Sequence, residues 1–115
     1  MQLDREMKHD LSDEYGDNES GSTATSVLIT PTEIYCANLG DSRTVLSKKN
    51  GKEYKVQELS IDHKPDNPTE IKRIENAGGR VLNNRVVPGG LGCARALGDY
   101  SCKTNEELKP EESVF

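Results

Sequence analysis

The run Ile34-Tyr35-Cys36-Ala37-Asn38-Leu39-Gly40-Asp41-Ser42-Arg43-Thr44-Val45-Leu46-Ser47 reads as strand, tight turn, strand. Ile34 to Leu39 mixes β-branched, aromatic and small residues as a strand buried on at least one face does, and Thr44 to Ser47 resumes the pattern. Gly40-Asp41-Ser42-Arg43 sets one carboxylate and one guanidinium at the rim between them. An aspartate there can ligate a hard cation such as Mg2+ or Mn2+. The plainer alternative is a hairpin turn with Arg43 paired on the surface.

Working outward, Val27-Leu28-Ile29 is a compact apolar run closed by a turn at Pro31-Thr32, and Tyr54 to Leu59 lies across Asn50-Gly51, a hairpin signal because both positions tolerate positive φ. Up to four antiparallel strands in sequence follow, a meander. The next segment has helix punctuation: Asn67 as N-cap, Pro68 at the first helical position, Glu70 as capping partner and Gly78-Gly79 as stop. Ile71, Ile74 and Ala77 give it one narrow apolar face. Val81-Leu82 and Val86-Val87 flank an Asn83-Asn84 turn, Pro88-Gly89-Gly90 breaks the chain, and Leu91 to Leu97 reads as a turn or two of helix ended by Gly98. Lys103 to Ser113 is polar loop.

Residues 1–20 carry seven acids, with Leu3, Met7 and Leu11 spaced four apart. Residues 1–19 therefore read as the end of a surface helix plus an acidic loop, or as a disordered acidic arm. Only 32% of the 115 residues are hydrophobic, with no Trp and one Phe, so the core the chain can build alone is thin. The net charge of -5 and the absence of a long Lys/Arg run argue against nucleic acid as a partner. No apolar stretch is long enough for a bilayer and the N-terminus is polar, so no membrane partner is expected and the setting is intracellular, cytoplasmic or nuclear. Cys36, Cys93 and Cys102 lack metal-ligand spacing and read as reduced, structural thiols.

Three further candidates are weighed against structural roles. Asp62-His63-Lys64-Pro65 sets a histidine beside an acid, but adjacent side chains rarely point at the same atom. Arg95 and Asp99, four apart, suit an ion pair on one helical face. Ser20-Gly21-Ser22-Thr23 lacks the lysine and glycine spacing of a phosphate-cradling loop. No Ser-His-Asp order, carboxylate pair or cysteine nucleophile stands out, and no catalytic residue is assigned.

Taken in order, Ser20-Gly21-Ser22-Thr23-Ala24, Ala37 to Arg43, Asp62-His63-Lys64-Pro65 with Glu70, Arg73-Ile74 and Ala77-Gly78-Gly79, then Arg95-Ala96-Leu97-Gly98-Asp99 closely resemble successive motifs of the PPM, or protein phosphatase 2C, family of metal-dependent serine/threonine phosphatases. The resemblance covers residues 20–115. It implies an α+β fold, part of a four-layer sandwich of two antiparallel sheets flanked by helices, incomplete in this chain. Residues 20–115 would be the central portion of the domain, with a flap-like segment at about 62–85. It also implies two Mg2+ or Mn2+ ions, phosphoserine and phosphothreonine protein substrates attacked by metal-activated water, and a monomeric parent protein. The aspartate matching Asp41 would serve a third, weaker metal site, and Arg43, Arg95 and Asp99 would be scaffold.

The departures shape the expectation. The family's N-terminal acid pair, phosphate-binding Arg and Asp-Gly-His-Gly-Gly motif are absent, as are its later acidic motifs, and Ala94 stands where a hydroxyl residue is usual. The chain is thus expected to be a fragment, inactive by itself, of a catalytic parent. The alternatives are a pseudophosphatase or phosphoprotein-binding module, and a free-standing β-rich interaction domain.

Overall fold

The computed structural model describes residues 2–15, 20–103, 108–109 and 112–114. Its elements, in order, are helix α1 (Gln2–Tyr15), strands β1 (Gly21–Ser22), β2 (Ala24–Ile29), β3 (Ile34–Leu39), β4 (Val45–Asn50) and β5 (Glu53–Glu58), helix α2 (Pro68–Asn76), strands β6 (Arg80–Leu82), β7 (Arg85–Val87) and β8 (Leu97–Gly98), and a 3-10 turn at Tyr100–Cys102. The strands pair antiparallel as β1–β8, β2–β3, β4–β5 and β6–β7. The expected α+β class with antiparallel pairing holds. No helix among the described residues is long and apolar enough to cross a membrane.

Local chemistry explains most of the element boundaries. Asn67 caps α2 by accepting the Thr69 N–H at 3.0 Å, and the Ala77 N–H closes the far end on the Arg73 carbonyl. Asn83 and Asn84 both sit at positive φ, 49° and 57°, the pair of values a two-residue type I′ hairpin turn demands. At the β4–β5 turn only Gly51 has positive φ, 64°; Asn50 pairs with Glu53 at the strand end, and Gly51-Lys52 make the loop.

Three expectations are corrected. The four central strands form two separate hairpins, not one meander: between β3 and β4 the Gly40 amide and carbonyl both turn to His63, so no β3–β4 ladder forms among the described residues. Leu91 to Leu97 is not helical; Leu91 bridges Val86, and Leu97 begins β8. Glu70 does not reach back to cap α2, because its carboxylate is buried and bonded to Arg73 and Arg95.

The core lies on one side of the molecule. Ile74 and Val86 are wholly buried and pack with Ala94, Ala96 and Cys102, and Val81, Leu91, Cys93 and Val114 are half-buried against them. Helix α1 joins the rest through Asp4, which accepts the Gly98 N–H at 2.9 Å and pairs with Lys103 Nζ at 2.8 Å. Of its proposed apolar stripe, Leu3 is exposed, Met7 lines a cavity against β1, β8 and Tyr100, and the Leu11 side chain lies outside the described residues, as does the acidic loop at 16–19. In the polar tail, Ser113 is buried.

Candidate functional site: the Gly40–Asp41 turn

Gly40 ends β3 at φ 95°, where a side chain is strained. A Cβ there would also fall 2.3 Å from Thr23 Cγ2 and 2.9 Å from the Arg95 carbonyl. The glycine is therefore wedged between β1's end and the 94–96 segment. Its N–H donates to His63 Nδ1 at 3.1 Å, its carbonyl accepts the His63 N–H at 2.9 Å, and the Asn38 amide donates to the same carbonyl at 3.0 Å. With both backbone groups held, the turn presents Asp41 outward. Its carboxylate is about one-third exposed and meets Lys64 Nζ at 3.3 Å.

The neighbours are fixed as firmly. Ser42 Oγ and Thr23 Oγ1 share a hydrogen bond of 2.6 Å, and the Thr44 N–H donates to Ser60 Oγ at 2.8 Å. Arg43 forks onto Asp62 at 2.9 and 2.8 Å and reaches Glu58 at 3.1 Å, which is the surface pairing weighed above. This fork holds the Asp62 carboxyl below its ordinary value. Asp62 and His63 face different partners, so they are not an acid–base pair. Acceptance at His63 Nδ1 puts the ring proton of the neutral form on Nε2, and burial, then the nearby Arg95, lowers the ring's pKa.

Behind the turn lies an ion cluster that spacing alone does not reveal. Arg95 does not pair with Asp99; it forks onto Glu70 at 2.8 and 2.7 Å, and Arg73 joins the same carboxylate at 2.9 Å. Arg73 also donates to the carbonyls of Ala94, at 2.6 Å, and Ser113. Burial alone would raise the Glu70 pKa, but the two guanidiniums outweigh it and hold the carboxyl low. Asp99 sits in the left-handed region over Gly21, its carboxyl raised by burial. Ser20-Gly21-Ser22-Thr23 forms β1 and its flanks, not an anion loop. None of the three cysteines is in a disulfide, in line with reduced thiols; the Cys93 thiol is pushed up by burial and by Asp41 and Asp99, away from reactivity.

Oxygen donors at the turn are few. No group of three or more His, Cys, Asp or Glu among the described residues can hold a metal ion. Asn38 Oδ1, at the end of β3, is buried without a hydrogen-bond partner among the described residues, one further unused oxygen. One carboxylate and one amide oxygen do not meet the roughly six-coordinate demand of Mg2+. The described residues alone do not fit a complete metal centre.

Comparison with known proteins gives these features a setting. The family model for protein phosphatase 2C matches residues 1–114. Human protein phosphatase 1G is 43% identical over 98 residues, 85% of this chain and 17% of that protein. Rat protein phosphatase 1B is 42% identical over 122 aligned positions, 100% of this chain and 30% of that protein. A crystal structure of a phosphatase from Toxoplasma gondii superposes with a TM-score of 0.67 at 27% identity, over 98% of this chain and 48% of that one. The chain spans less than a third of the length of these curated relatives. It belongs to the protein phosphatase 2C family.

Proposed function

We propose that these 115 residues are part of the catalytic domain of a metal-dependent serine/threonine protein phosphatase, acting on phosphoserine and phosphothreonine proteins in an intracellular setting. The bound Mg2+ or Mn2+ ions would activate water and neutralise the phosphate. Asp41 would lend one carboxylate to such an ion, with the other donors supplied from outside these residues. The observation that carries this reading is the rigidity of the Gly40–Asp41 turn. The Gly40 amide and carbonyl are both bonded inward to His63, while the Asp41 carboxylate stands at the rim beside Lys64. The chain alone should not hydrolyse phosphate esters, because the described residues supply too few donors.

The test grafts residues 20–103 into the matching segment of human protein phosphatase 1A, a relative 41% identical over 114 residues. The graft should hydrolyse p-nitrophenyl phosphate with Mn2+, the free chain should not, and Asp41→Ala in the graft should weaken the dependence of rate on Mn2+ concentration. Turnover by the free chain, or a graft indifferent to Asp41→Ala, contradicts the proposal.

A further inference from the structure

The β4–β5 hairpin carries Lys48, Lys49, Lys52 and Lys55 within eight residues, all of them exposed. In the ladder Lys48 stands directly opposite Lys55, and Lys49 opposite Tyr54. Like charges across a strand pair destabilise it. None of the four ammonium groups has an ion-pair partner among the described residues, whereas Arg43 at the base of the same hairpin has two. Lysines at a strand edge deter strand addition, but that role does not require two of them face to face.

The contrast with the rest of the chain sets the partner. With these four set aside, 20 acidic residues face only 11 basic ones. A nucleic acid long enough to engage the tip would run its phosphates along that negative remainder. A short acidic peptide meets the tip alone. We infer that the lysine-bearing tip of this hairpin is a docking surface for an acidic segment of the phosphoprotein substrate. This deepens the phosphatase reading and rests on it. Six strand residues separate the tip from the Asp41 end, about 20 Å at ~3.3 Å per residue. The acidic segment therefore lies about six extended residues from the phosphorylated one, and the surface selects substrates without touching the reacting atoms.

The experiment titrates the full chain against two fluorescent phosphothreonine peptides by anisotropy. One carries a run of glutamates six residues from the phosphothreonine, and the other carries glutamines there. The glutamate peptide should bind about tenfold more tightly at about 50 mM salt, an advantage that fades towards 200 mM. Lys48→Glu with Lys55→Glu should abolish the preference. Lys48→Gln with Lys55→Gln, which removes the charge without reversing it, should reduce it while the circular dichroism spectrum stays unchanged. Equal affinity for the two peptides, a preference that survives both double variants, or tighter binding of a single-stranded RNA of equal charge overturns the inference. Because binding is read on the free chain and hydrolysis on the graft, an inactive graft with an intact peptide preference sinks the catalytic reading and leaves the surface standing.

Discussion

Two regions of this chain bury themselves to opposite degrees. The knot of α2, the β6–β7 hairpin and residues 91–96 encloses wholly buried Ile74 and Val86 and a carboxylate, Glu70, bonded by two arginines. The β2–β3 and β4–β5 hairpins are fully laddered, yet they leave Leu28, Ile29, Tyr54 and Val56 more than 60% exposed. The apolar run Val27-Leu28-Ile29 has the pattern of a strand covered on both faces. The knot holds a core of its own, whereas β2–β3 has the composition of buried strands, β4–β5 sets Tyr54 and Val56 among lysines and glutamates, and neither hairpin is covered by the described residues. A two-stranded sheet by itself is marginal in water.

The largest expected break in this contrast is Glu70→Ala. It strands two arginines, one of them nearly buried, beside each other, and should cost about 3 to 5 kcal/mol. A urea titration should lose the knot's cooperative transition while the hairpins change little.

Acid acts on the same place. Glu70's folded pKa is lowered, so its stabilisation is present above the ordinary value of 4.5 and is lost as pH falls through the folded value. His63 is also lowered, from 6.5; protonating it disfavours the fold, so its stabilisation too is present above 6.5 and declines below. Thermal melts should therefore fall in two stages on acidification, and in Glu70→Gln the second stage should shrink to what Asp62, whose carboxyl Arg43 also holds low, contributes.

Asn67→Ala removes the α2 cap and should cost about 1 kcal/mol, read by the same titration. Smallest is Leu28→Thr on β2: at 63% exposure it should change this chain's stability by no more than about 0.5 kcal/mol. The same change grafted into a relative that covers the strand should cost several times more.

Local signals in the sequence translated well, and distant ones did not. Asn67-Pro68, Gly78-Gly79 and Asn83-Asn84 act through backbone geometry within a few residues, so their meaning survives without knowledge of the fold. Arg95 was assigned by spacing to Asp99, four residues on, but its partner is Glu70, 25 residues back. The Asp99 carboxylate sits over Gly21, and the fold brings the buried Glu70 carboxylate to the guanidinium instead. The meander failed for the same reason, because backbone groups that would have paired β3 with β4 are taken up by a histidine 23 residues away. Asp4 capping Gly98 across 94 residues had no local signature at all. At the site, the type of residue was legible in Gly40-Asp41, but the lysine beside the carboxylate and the histidine behind the glycine were not.

The most direct measurement is residue-resolved amide hydrogen exchange on the full chain. Exchange should be slowest at Ile71, Gly79 and Val86, whose amides are bonded within the knot, and at Ala94, bonded to the His63 carbonyl, and faster by orders of magnitude through β2 to β5. Equal protection of the hairpins and the knot, or fast exchange everywhere, would contradict this contrast.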